Sequence, residues 1–583
     1  MTDPSPLTDP SPLTAPTPVT ERSPVTERSP VTEREMPRHP AGDDVHGDSA
    51  AVQAERPPAR HRWVLPVAVA LAGVLLFLVY LRQSWTVAAN SDGAGNVLQA
   101  WDMLHGNLLL HGWSLSDASF YTTELPQYML IVSVLGRHAD VIHVGAAMSY
   151  TLVVILGALL AKGRATGREA LARMLITVGI MLVPQVGNGV YVLESSPGHI
   201  GTAVPLLATW LVLDRGGRRW WVPPVVGAML AWVLVGDAVT LYAGIAPLAV
   251  TCGVWAYRRV VMNRQPVASA WFELSLAAAA AAAIPVASLA LAVIRSHHGF
   301  AVAPVQSTLA SGTQLVQHAS TTFEGVLLLF GADFLGLHLG FTALGAMLHV
   351  VGLGLATWAI WLGIRLYFRA RGSGDLGDLV VAVLTAAVLI NVAAYTLSTL
   401  DIDAQSSREM AAVLPFAAVL AGRLLASRLI AARMLPALSA VLAGYLLTLA
   451  SGVTQPALPA ENQQVADWLV THHLRYGLGG YWQSASITLG SGTRTQVRQV
   501  QFNGHALVRY RRESQASWYD PRRHDATFLV LGPAQHPVTD FIGTVADMRA
   551  IFGPPAHVYH LGQITVLTYN KNLLQGLSPQ RGP

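Results

Sequence analysis

The chain has 583 residues, of which 52% are hydrophobic and only 12% charged, with a formal charge of +4 and a mean hydropathy of +0.41. Its apolar runs are long enough to cross a bilayer of roughly 30 Å, which sets it apart from a soluble domain. The lone cysteine, Cys252, argues against a disulfide framework and cysteine-ligated metal, and the small, evenly spread positive charge argues against nucleic acid as a partner.

Residues 1–58 carry the near-repeats TDPSPL and SPVTER and almost nothing to bury, which predicts a disordered cytoplasmic tail. Residues 59–455 form a transmembrane domain, with apolar spans predicted at 63–80, 141–161, 170–184, 199–213, 220–236, 238–257, 270–294, 341–364, 377–398, 409–426 and 434–452, about eleven helices. Basic residues set the direction, because they stay in cytoplasmic loops. With the N-terminus inside, Lys162, Arg164, Arg168 and Arg173, then Arg215, Arg218 and Arg219, then Arg258, Arg259 and Arg264 fall in inner loops, as do later arginine groups, while outer loops hold only Arg82, Arg137, Arg295 and Arg408. The stretch FEGVLLLFGADFLG is too short to span and reads as an interfacial or re-entrant helix. Residues 456–583 are richer in polar residues and read as an extracytoplasmic α/β domain, with helices at 461–473 and 539–552 and strands at 484–489, 496–502, 527–531 and 557–569. The expected fold class is therefore an all-α polytopic membrane protein with a C-terminal α/β domain.

Acid is scarce, so its placement is informative. The first outer loop, 82–140, contains NSDGAGNVLQAWDMLHGNLLLHGWSLSDASFYTTELPQYML, with Asp92, Asp102, Asp117 and Glu124 among glycines and aromatics. Glu194 and His199 lie in GNGVYVLESSPGHIG, Asp237 in the next outer turn, and Asp401, Asp403 and Arg408 in STLDIDAQSSREM, all on one membrane face in this topology. An acid just past the first span, a short helix ending in HG and the aromatic FYTTELP run resemble the first extracytoplasmic loop of the GT-C glycosyltransferases, integral membrane enzymes that take a sugar from a polyprenyl-phosphate carrier.

That resemblance implies a multi-pass plasma-membrane glycosyltransferase of inverting type, with a polyprenyl-phosphate-linked sugar as donor and an extracytoplasmic glycan, lipid or protein as acceptor. It makes Asp92 the general base, although the paired acids usual there are replaced by flanking Ser91 and Gly93. It makes Glu194 a second acid that orients the acceptor or, with Asp92, helps hold a divalent cation such as Mg or Mn. His199 and Arg408 become contacts to the carrier phosphate, where a guanidinium suits phosphate oxygens, and Glu124 a substrate-loop acid of no specific role. The aromatics Tyr481, Trp482, Trp518 and Tyr519 offer faces for stacking on sugar rings. Each residue also has a plainer reading: Asp92 as a helix cap, Glu194 as a solvated loop acid, His199 as a polar interface residue, Asp237 as a turn residue, and the four aromatics as domain core. The alternative function is a multipass transporter or flippase for a lipid-linked or polar substrate, which would place ionisable groups near the midplane.

Overall fold

The computed structural model describes residues 64–304, 307–369, 376–533 and 541–578; the tail expected at 1–58 lies outside the described residues. Every predicted span becomes a helix: Val64–Ser84, Asp140–Lys162, Gly167–Met181, His199–Gly216, Val222–Gly236, Ala246–Tyr257, Trp271–Ser296, Phe341–Arg369, Leu376–Thr396, Val413–Ala431 and Leu435–Val453. Among the described residues six helices are long and apolar enough to cross a membrane, namely Asp140–Lys162, Val267–Ser296, Phe341–Arg369, Gly377–Thr396, Val413–Ala431 and Leu435–Val453. The others are helical but shorter or less apolar. Val222–Gly236, for instance, has 15 residues and so rises only about 22 Å.

The bundle leaves large apolar side chains uncovered, among them Leu75, Leu289 and Leu447, each more than 60% exposed. In water such a surface would drive aggregation; against lipid tails it needs no cover. Polar groups are instead gathered at the two ends. Helix His199–Gly216 has 18 residues, about 27 Å of rise, and connects those ends. In its last turn Asp214 pairs with Arg423 at 2.8 Å, whose Nε and Nη2 also donate to the Leu160 carbonyl. Beyond that turn the buried Glu273 takes both arms of Arg218, at 2.9 and 3.0 Å, and Arg259 at 3.2 Å. Buried charges persist only when paired in this way.

Four further helices sit between the spans: Ser91–Leu104, Leu125–Leu135, Asn188–Glu194 and Leu315–Leu329. Among the described residues there are also nine short strands: β1 (Trp113–Leu115), β2 (Ala301–Val302), β3 (Tyr476–Gly479), β4 (Gln496–Phe502), β5 (Leu507–Arg509), β6 (Ser514–Gln515), β7 (Phe528–Leu531), β8 (His557–Leu561) and β9 (Ile564–Thr568). Six make a mixed sheet in the order β5-β4-β3-β7-β9-β8. The other three come from distant parts of the chain, with β1 parallel to β2 and antiparallel to β6.

The strand expected at 484–489 is instead part of a helix, Tyr481–Gly490. The alternation in SASITL looks two-fold, but this helix is buried nearly all round between β4 and helix Ser91–Leu104, and a helix covered on every side has no period to display. Its hydroxyls turn inward on the backbone, Thr488 to the Ser484 carbonyl and Ser486 to that of Trp482. Ser91 Oγ donates to the Trp482 carbonyl at 2.8 Å and accepts from the Ser486 N–H at 3.2 Å, fixing the N-termini of the two helices side by side.

Candidate active site

Asn90, not Asp92, caps helix Ser91–Leu104: its side chain accepts from the Gly93 N–H at 3.1 Å. Asp92 is thereby left with both carboxylate oxygens for other partners. One accepts from the Tyr481 hydroxyl at 2.5 Å, and the other lies 3.8 Å from Arg408 Nη1. Around this pair opens a cavity of about 370 Å³ whose wall includes Asp92, Asp117, His199, Asp403, Arg408, Glu409, Tyr481, Trp482, Tyr510, Arg512 and Glu513. It lies at the end of the bundle where helix His199–Gly216 begins.

Of the acids and bases singled out in the sequence, the cavity unites Asp92, Asp117, His199, Asp403 and Arg408, while Glu124 and Glu194 are absent from its wall. Glu194 is 2% exposed and neither of its oxygens has a hydrogen-bond partner; burial pushes its carboxyl well above the usual range. Glu124 accepts from Ser196 Oγ at 2.7 Å and the Gly198 N–H at 3.1 Å, yet burial outweighs both and raises it to about 7. It approaches the chain so closely that a Cβ at Gly201 would stand 1.9 Å from its oxygen. Its position therefore braces the loop that leads into His199.

His199 is clamped by carboxylates on both sides, Nδ1 to Asp237 at 2.8 Å and Nε2 to Glu409 at 3.1 Å. Asp237 is more than a turn residue, since it also accepts from Thr202 Oγ1 and the Val239 N–H. With both ring nitrogens engaged by acceptors, the ring has to carry two protons, and it holds Glu409 at the cavity wall rather than reaching a ligand itself.

The second carboxyl beside Asp92 comes from Glu513, which sits in the left-handed region at φ 50°. This is a backbone state a non-glycine side chain occupies at a cost, and one that concentrates at functional sites. Burial first, and then the charge of Asp92, raise the Glu513 carboxyl to about 8. The site thus sets a carboxyl raised above its ordinary value beside Asp92, and neighbouring carboxyls can divide acid and base roles. Arg512 lies 3.9 Å from Asp117 and over the Tyr481 ring. Among the described residues neither Arg408 nor Arg512 donates a side-chain hydrogen bond to the protein; their closest carboxylates, at 3.8 and 3.9 Å, are beyond hydrogen-bond reach.

Arg512 and Glu513 escape a reading of the sequence; the charged run RYRRES is their one visible signal, and it lies some 400 residues from Asp92. Glu409 stands next to Arg408 in the SREM run, and Tyr481 is read there only as a domain aromatic. As for a divalent cation, the two acids expected to hold it do not share the cavity, and among the described residues no three or more His, Cys, Asp or Glu are grouped to bind a metal.

The fold and site thus define a multi-pass helical membrane protein with a charged, aromatic-walled cavity at one end. No family model and no curated protein matches the chain. Among solved structures it is similar to ArnT from Cupriavidus metallidurans, crystallised bound to undecaprenyl phosphate, at 12% identity and a TM-score of 0.33, the match covering 88% of this chain and 99% of that one. The likeness is weak in both measures, so function has to be sought in the cavity itself.

Proposed function

We propose that the protein is an inverting membrane glycosyltransferase of GT-C type, which moves a sugar from a polyprenyl-phosphate donor to an acceptor hydroxyl on the extracytoplasmic side. The observation that carries this reading is the pair of guanidiniums, Arg408 and Arg512, facing a cavity beside Asp92 and donating no side-chain hydrogen bond among the described residues. A phosphate supplies the multidentate, charged acceptor that a planar guanidinium suits.

The acceptor oxygen attacks the anomeric carbon of the donor sugar, and the bond from that carbon to the phosphate oxygen breaks. The electron pair leaves with the phosphate, where Arg408 and Arg512 meet its charge, and Asp92 takes the hydroxyl proton. Tyr481 orients Asp92 through its 2.5 Å hydrogen bond, and Glu513, protonated below about pH 8, leaves Asp92 as the proton acceptor.

The test is sugar transfer by purified protein in nanodiscs from a radiolabelled polyprenyl-phosphate donor. Asp92→Asn keeps the shape of the side chain but cannot take a proton, so turnover should fall at least about a hundredfold while carrier binding persists. Arg408→Ala should weaken carrier binding instead. A folded Asp92→Asn protein with near-normal transfer overturns the assignment, and movement of the lipid across the bilayer without transfer would favour the transporter reading.

A further inference from the structure

From the end of the bundle opposite the Asp92 cavity, an apolar groove of about 90 Å³ runs toward the middle between helices Gly167–Met181, Phe341–Arg369 and Leu435–Val453. The first and last of these start at that end. Ser427, one turn past Arg423, donates its hydroxyl to Glu169 at 2.8 Å, and the Met434 N–H bonds the Leu429 carbonyl just before the last helix begins. Among the described residues only Ser439 and Tyr445 bring a polar side-chain atom to the groove wall, and the Tyr445 hydroxyl accepts from the Gly352 N–H at 3.2 Å. Small residues and loose packing leave the space open. A Cβ at Gly179 would meet nothing closer than Leu442 Cδ1 at 3.8 Å, and only 17% of the most apolar stretch of helix Leu435–Val453 is buried.

The groove has the length and the chemistry of one lipid leaflet. Along the last helix its wall extends from Leu435 to Tyr445, about 15 Å of rise, which is half of a hydrocarbon core of roughly 30 Å. Leu175, Val351 and Leu435 on its wall are each more than 40% exposed, so it opens sideways, where the bundle meets lipid tails. The stripe of helix Gly167–Met181 that lines it, Ala172, Leu175 and Gly179, continues one turn back on the same face to Arg168. On the other side Arg433, at φ 55°, stands two residues before Leu435. Both arginines are exposed. A hydrocarbon groove that ends at two guanidiniums matches an acyl chain beneath an anionic headgroup, since guanidiniums suit phosphate oxygens and basic residues at a membrane surface attract anionic lipid.

We infer that this groove holds one acyl chain of an anionic phospholipid, with Arg168 and Arg433 at its phosphate, and that the lipid fastens helix Leu435–Val453 to the bundle. The site is independent of the transferase reading. Its test is native mass spectrometry of the delipidated full-length protein, titrated with phosphatidylglycerol or with phosphatidylcholine of the same acyl chains. The first phosphatidylglycerol should bind at least about tenfold more tightly and raise the melting temperature. Arg168→Gln together with Arg433→Gln should erase that preference and leave phosphatidylcholine binding unchanged. Gly179→Leu, which fills the groove, should weaken both lipids severalfold; Gly253→Leu, outside the groove at a position where a Cβ meets nothing within 4 Å, should weaken neither. Should Gly179→Leu fail to fold, Ser439→Phe fills the groove from its exposed rim, with the same loss expected. Equal binding of the two lipids by the unaltered protein, no rise in melting temperature, a preference that survives the double substitution, or a loss as large in Gly253→Leu as in the groove variants overturns the proposal. So does displacement of phosphatidylglycerol by an equimolar polyprenyl phosphate, which would give the groove to the carrier.

Discussion

At the scale of single residues, the site is organised by carboxyl groups held at different proton affinities. Glu124 at about 7 and Glu513 at about 8 both lie above the roughly 4.3 of a glutamate in an unfolded chain. The folded state therefore holds more protons than the unfolded state between those values. Their stabilising contribution is complete below about pH 4.3 and is lost as pH rises through 7 and then 8. Thermal melting in detergent from pH 5 to 9 should accordingly show a midpoint that declines with pH. Glu124→Gln should flatten the part of the decline that runs up to about pH 7 and Glu513→Gln the part that runs up to about 8; unchanged slopes in both variants would contradict the proton affinities described. Arg512→Ala removes one of two donors to the proposed phosphate, and since charged hydrogen bonds contribute about 1.5–3 kcal/mol each, carrier affinity should drop on the order of ten- to a hundredfold. Near-wild-type affinity in that variant would remove Arg512 from the phosphate site.

At the scale of elements, Glu513 is placed by the pairing of β6 with β1, in which Ser514 stands opposite Ser114 and Gln515 opposite Trp113. A two-residue strand carries no pattern that a sequence displays, which is why Glu513 and Arg512 were illegible there. Tyr481 was hidden for a different reason, on a helix buried too completely to show a period. Asp92, His199 and Arg408 were visible because charge next to an apolar span is rare and stands out. The cap reading of Asp92 could not be decided from NSDG alone, since Asn90 and Asp92 are both capable caps, and only the hydrogen bond from the Gly93 N–H separates them. The same contact between elements makes Gly95 a sensitive position. A Cβ there would stand 2.1 Å from Glu513 Oε2, the movable end of a side chain. Gly95→Ala should thus displace the Glu513 carboxyl with a modest effect on melting, while reducing the pH dependence that Glu513 contributes up to about pH 8. A fully retained Glu513 titration in Gly95→Ala would mean that the helix, not the carboxyl, had shifted.

At the scale of the whole molecule, polar chemistry is divided between two ends joined by apolar helices, with the Asp92 cavity at one and the Asp214–Arg423 and Glu273 ion pairs at the other. The proposed function requires the cavity end to face outward. In a Cys252→Ser background, a cysteine at Arg523, an exposed residue on the same C-terminal segment as Tyr481 and Glu513, should react with a membrane-impermeant maleimide in intact cells. A cysteine at the exposed Arg219, at the far end, should react only after permeabilisation, and the opposite result would reverse the topology. The hydrogen bond from Tyr481 to Asp92 spans 389 positions of sequence. At a synthesis rate of about 5–20 residues per second, Tyr481 leaves the ribosome roughly 20–80 s after Asp92. Throughout that interval the growing chain has most of its helices but neither Tyr481 nor the Arg512 and Glu513 that follow, so the wall of the Asp92 cavity stays incomplete until the last fifth of the chain arrives.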